Sequence, residues 1–211
     1  MDKIKMIKKL SIAATMLLTG CATSNMNYTK PSSQTIINQI VINEKFDTIW
    51  DRLVKNLASD FFIINNIEKS SRIINVSFST GKPSDYVDCG NTVREFNNAR
   101  GKSLYTYDPS DSASYTFTNL QGHAFNAIRT SRLNGRTNVY LAPEGEGTVI
   151  SVNTKYVVDV DVKYYNIVNN QFAGNENFTF DFSTKSEFSN PGGVTCVARG
   201  NLEQKILSYA E

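Results

Sequence analysis

Few residues in this 211-residue chain could do chemistry, and their spacing limits what that chemistry would be. His123 is the only histidine. A lone imidazole without clustered acids or cysteines lacks the partners that general-base or metal chemistry needs. A Ser-His-Asp triad would have to use it, and the Gly-x-Ser-x-Gly elbow that often carries such a serine is missing. Asp159 and Asp161 share a strand face on which a cation could sit, but Lys163 continues that face, as expected of solvated sheet surface. Gly145-Glu146-Gly147 carries the wrong charge for a phosphate loop. Arg129, Arg132 and Arg136 bracket an expected hairpin. They are either holders of an anionic group or ordinary solvated strand ends, and the second is the expectation. This inventory points away from an enzyme.

The remaining chemistry lies in the cysteines. The chain opens with Lys3, Lys5, Lys8 and Lys9, runs through an apolar stretch from Leu10 to Leu18, and reaches Leu17-Leu18-Thr19-Gly20-Cys21. A basic n-region, a short apolar core and small residues at the break are the parts of a secretory signal peptide. The apolar run is about half the ~20 residues of a spanning helix. The Leu-x-Gly-type tripeptide before Cys21 resembles the lipobox of bacterial lipoproteins. That resemblance implies a signal peptide over 1–20, then a Cys21 carrying diacylglyceryl and N-acyl groups, with no other cofactor. Two or more acyl chains give stable anchoring. Ala22 stands where members of that family retained at the inner membrane often have aspartate, which implies an outer-membrane location.

With Cys21 acylated, Cys89 and Cys196 remain as an even pair in an oxidising setting. A disulfide between them is the expectation, and two buried thiols are the competing one. Two cysteines and one histidine fall short of a four-ligand metal site. The formal charge of +2 belongs to the whole chain. Without residues 1–20 it holds 18 basic and 19 acidic side chains. It therefore lacks the electrostatic footprint of a nucleic-acid binder.

These residues need a scaffold. Residues 21–35, polar and aperiodic, read as a flexible tether with a reach of ~20 Å. Residues 36–211 read as one domain. Ile36, Ile40 and Ile42 share a strand face, and Asn43 is placed to cap a helix. Phe46, Ile49, Trp50, Leu53, Val54 and Leu57 form one helical stripe. Phe61–Ile67 and Arg72–Phe78 read as a hairpin. Residues 81–114, rich in Gly, Pro, Asn and Asp, read as a long irregular excursion. Asn134-Gly135 reads as a hairpin turn, as does Pro143 to Gly147. Val158, Val160, Val162 and Tyr164, then Phe178, Phe180 and Phe182, alternate with polar residues as in antiparallel sheet with one wet face. Leu202, Ile206 and Leu207 mark a short closing helix.

This order of elements predicts an α+β fold, an antiparallel sheet of about six or seven strands packed on one long helix with a short C-terminal helix. It resembles the helix-grip domains of accessory lipoproteins of the outer-membrane β-barrel assembly machine. Tyr86-Val87-Asp88-Cys89-Gly90 and the segment from Cys196 to Glu203 are also similar to uncharacterised bacterial lipoproteins. The resemblance implies a non-catalytic module that docks on an envelope protein complex. The alternative is a carrier of a lipid or small apolar ligand in a cavity between sheet and helix. Tyr105, Tyr107, Tyr115 and Phe117, beside the excursion, are the expected partner surface. Oligomeric state is left open by the sequence.

Overall fold

The computed structural model describes residues 22–32, 34–190 and 193–211. Residues 1–21, on which the expected signal peptide and the acylated Cys21 fall, lie outside the described residues, as do Pro191 and Gly192.

In chain order the strands and helices are β1 (Thr23–Thr29), β2 (Gln39–Ile42), α1 (Phe46–Ser59), β3 (Ile63–Glu68), β4 (Ile73–Thr80), β5 (Val87–Asp88), β6 (Asn91–Asn98), β7 (Gly101–Tyr107) and β8 (Ala113–Thr118). Then come β9 (Ala124–Glu144), β10 (Gly147–Asn166), β11 (Phe172–Ser183), β12 (Phe188–Ser189), β13 (Thr195–Ala198) and α2 (Asn201–Ser208). The frame is the β9–β10 ribbon, in which β9 has 21 residues and β10 has 20. Alternation sustains it. Leu133, Thr137, Val139 and Leu141 on β9, and Ile150, Val152, Thr154, Tyr156, Val158 and Val160 on β10, are buried, while the residues that alternate with them face outward or lie half-covered.

Each ribbon strand changes its outer partner along its length. β9 pairs first with β8 and then with β4, and β10 pairs first with β2 and then with β11. The seven-stranded sheet therefore has two halves with different covers. One half is covered by the helices. α1 buries Ile49, Trp50, Leu53 and Leu57, and α2 buries Leu202, Ile206 and Leu207. Arg52 and Asn56 of α1 donate to the carbonyls of Ala210 and Tyr209 beyond α2, which ties the two helices. The other half stands beside a three-stranded antiparallel sheet of order β1-β6-β7. A small sheet, β12-β13-β5, carries the Cys89–Cys196 disulfide, with Cα atoms 4.0 Å apart.

The fold is thus mostly β with two short helices, which corrects the α+β, helix-grip expectation. α1 has 14 residues and covers only part of the sheet. The physical reason lies in residues 81–114, which pair as β5, β6, β7 and the start of β8 instead of wandering. The tether expectation is corrected too, because Thr23–Thr29 pairs with β6 along its whole length. The Tyr28 hydroxyl donates to Cys89 O at 3.0 Å and accepts from Thr195 N–H at 2.9 Å, clamping β1 to both sides of the disulfide. A Cβ on Gly90, which holds φ +82°, would collide with the Thr29 carbonyl, so glycine permits this approach.

Asn134-Gly135 is no turn. Both residues lie inside continuous β9, and Gly135 leaves room for the Phe78 ring, into which a Cβ would project. The turn expected at Pro143 to Gly147 joins β9 to β10. α1 starts after Lys45 with no side-chain cap, so Asn43 does not serve as one. Glu44 accepts instead from Arg52 Nη2 at 2.5 Å.

Candidate functional site

Between the three-stranded sheet and the β8–β11 half of the large sheet lies a cleft of about 280 Å³. Its walls come from β1 (Met26, Tyr28), β6 (Thr92, Arg94), β7 (Tyr107), β8 (Tyr115), β9 (Arg129), β10 (Tyr164) and β11 (Glu176, Phe178, Phe180). Strand alternation aims each of these side chains. Arg94 lies on the β6 face that buries Thr92 and Phe96, and Arg129 lies on the β9 face that buries Ala127 and Leu133.

The cleft is built around two cations on an aromatic stack. The rings of Tyr107 and Tyr115 lie parallel, 5.4 Å apart. The Arg94 guanidinium sits 4.3 Å from the Tyr115 centroid, and its Nε donates to the Tyr107 hydroxyl at 2.9 Å. The Arg129 guanidinium lies 5.9 Å from the Tyr107 centroid. Its Nε donates to Asp111 O at 3.2 Å, and an Nη to Pro109 O. Arg129 is only 8% exposed, yet among the described residues neither arginine makes a salt bridge.

Carbonyl dipoles and ring faces partly offset the cost of burying a guanidinium, but an anion would offset it further. Burial pushes Arg129 below its ordinary pKa, against the opposing pull of Tyr107 and Tyr115. It still leaves a cation at neutral pH. Burial, then the neighbouring Tyr107, pushes the Tyr115 hydroxyl up to about 12. Tyr164 is raised by burial and by Glu176, whose carboxylate accepts its hydroxyl at 2.9 Å. Glu176 is exposed, so the cleft combines two inner cations with one outer carboxylate. No histidine or cysteine is among the residues described as lining it. The arrangement can hold an anionic group attached to a flat or apolar body. It offers no nucleophile–base pair.

The aromatic residues expected as a partner surface assemble here, but inward. Tyr115 is 6% exposed, and Tyr105, Tyr107 and Phe117 are half-buried. Tyr107 and Tyr115 line the cleft. Phe117 packs on Tyr115 and Tyr164 behind it, and the Tyr105 hydroxyl bonds Thr116. They do not form an exposed patch. The arginine trio separates as well. Arg129 points in, whereas Arg132 and Arg136 lie on the opposite, exposed face of β9.

Asp159 and Asp161 flank a larger, open groove on the outer sheet face together with Arg132. Asp159 accepts from Thr179 Oγ1 at 3.0 Å, and among the described residues no metal-ligand cluster forms there or elsewhere. His123 is exposed, in the turn between β8 and β9. From the sequence, Tyr164 is placed only on the packed face of a strand, and Arg94 is not among the candidates. The same-face spacing of Thr92, Arg94 and Phe96 is the one signal that could have found Arg94.

Compared with family models, curated proteins and solved structures, the chain shows no significant match.

Proposed function

We propose that this chain is a lipid-anchored, non-catalytic protein of the outer membrane whose β domain binds a small organic anion in the Arg94–Arg129 cleft. The observation that carries the reading is a pair of guanidiniums, Arg94 stacked on Tyr115 at 4.3 Å and Arg129 5.9 Å from the Tyr107 centroid, with no carboxylate partner among the described residues, in a cleft open to solvent. The anchor rests on the lipobox resemblance at Cys21. The cavity once expected between sheet and helix has no place in this account, because Ile49, Trp50, Leu53 and Leu57 of α1 are packed against the sheet.

The test is a thermal-melting screen of the mature chain against aromatic carboxylates and phosphates, each paired with its neutral amide or alcohol. Saturable stabilisation by the anions alone, lost in Arg94→Gln, supports the reading. Equal shifts from the neutral compounds, or a shift untouched by Arg94→Gln, overturn it.

A second reading, docking on an envelope protein complex, is favoured by β11. This strand of 12 residues ends the large sheet, and most of it is exposed. An extended partner segment could add along such an edge. Loss of partner capture on Thr179→Pro, with the melting temperature retained, would support it.

A further inference from the structure

Three turns meet at the end of the domain where β1 begins. Thr23 pairs with Asn97 at the end of β6, just before the turn into β7. Ser24 Oγ lies 3.0 Å from Thr118 Oγ1 and accepts the Thr118 N–H at 2.9 Å, at the end of β8 and the start of the turn into β9. That turn touches the third, between β10 and β11, where Ile167 N–H donates to Ala124 O at 3.2 Å.

The surface of this end is unusual for water-facing turns. Leu120 is 102% exposed, Val168 89% and Phe172 60%, with Ile167 exposed beside them. Across 96–102, 118–124 and 164–174 there is no aspartate or glutamate, and the fixed charges are Arg100 and Lys102, of which Lys102 pairs with Glu95 at 2.5 Å while Arg100 makes no salt bridge among the described residues. Apolar tips beside the Arg100 cation, with no acid in the turns themselves, match the chemistry of a bilayer interface, which takes up apolar side chains and attracts basic ones.

Position supplies the occupant. Cys21 precedes Thr23 by two residues, a span of at most about 7 Å of backbone. An acylated Cys21 therefore brings its bilayer to these turns. We propose that the turns carrying Leu120, Val168 and Phe172 sit in the head-group layer of the membrane that holds Cys21. The inference rests on the lipid-anchor reading and goes beyond it, since an anchored domain could equally hang clear of the surface.

The experiment uses the mature, membrane-extracted protein in phosphatidylethanolamine–phosphatidylglycerol vesicles, with and without acyl-chain-brominated lipid. Trp50 is buried and gives a constant background. Val168→Trp adds a probe at the turns, and Glu146→Trp adds one in the β9–β10 turn. Intact mass reads acylation separately. An acylated chain in which Val168→Trp loses most of its added emission, while Glu146→Trp keeps its own, is the expected result. An acylated chain with both probes unquenched overturns the inference and leaves the anchor standing. An unacylated mass overturns the anchor and the inference with it. Quenching-resistant blue-shifted emission from Val168→Trp in whole envelopes would mean that a protein covers the turns, which also overturns it.

Discussion

Inside the helix-covered half of the sheet, the Tyr156 hydroxyl donates to Glu203 Oε1 at 2.7 Å, and Thr184 donates to the same oxygen at 2.7 Å. Glu203 is fully buried, and its Oε2 has no partner among the described residues. A buried carboxyl so dependent on two hydroxyls makes each donor costly to remove. Tyr156→Phe should lower stability by about 1–3 kcal/mol in urea unfolding. A loss below about 0.5 kcal/mol would show that the hydroxyl contributes no net bond.

The Cys89–Cys196 disulfide spans 107 residues and is clasped by Tyr28. Replacing both cysteines by serine should cost about 2–4 kcal/mol. Amide exchange should also speed up along Thr23–Thr29, since β1 is held to the disulfide region through Tyr28. Unchanged protection in β1 would count against that coupling.

Gly135→Ala should cost about 1–3 kcal/mol, because its methyl enters the space of the Phe78 ring. Phe78→Leu should recover part of that loss in the double variant. A turn glycine would show no such rescue, so the cycle separates strand from hairpin at this position.

Asp60 links the helix ends. Burial raises its pKa, but hydrogen bonds from Lys205 and Tyr209 outweigh burial and hold the carboxyl below 3.8. A depressed folded-state pKa contributes stability that is present above the unfolded value and lost as pH falls through the folded one. The stability gap between the native chain and Asp60→Asn should therefore close as pH falls from about 3.8 downward. A gap that widens on acidification would reverse the sign.

At the cleft mouth, Glu176 competes with any anion for the field of Arg94 and Arg129. Glu176→Gln should tighten anion binding, and Arg129→Gln should weaken it, both read by calorimetry with the best anion from the melting screen. Identical affinities for the two variants would place the anion elsewhere.

Much of the core was legible. The α1 stripe and the Val158–Val162 part of β10 stand out because their inner faces are apolar, and the pattern follows from burial alone. The cleft strands obey another rule. β6 reads Asn-Thr-Val-Arg-Glu-Phe-Asn-Asn because its inner face looks onto a polar cleft, so alternation is present without hydrophobicity. β1 reads as tether because Ser24 and Tyr28 alone among its seven residues are half-buried. By sequence alone Arg129 is indistinguishable from Arg132 and Arg136. Taking Asn134-Gly135 as a turn erased the strand continuity that puts Arg129 on the Leu133 face and the other two opposite.

The β9–β10 ribbon also acts as a spacer. Its twenty residue pairs run from Gly147–Glu144 to Asn166–Phe125 without a register break. At about 3.3 Å per residue that is a contour of roughly 65 Å. The cleft lies toward one end of this length and the helix pair toward the other. Both are carried by the same two strands, so the distance between them is set by unbroken backbone pairing, with no hinge along the ribbon to vary it.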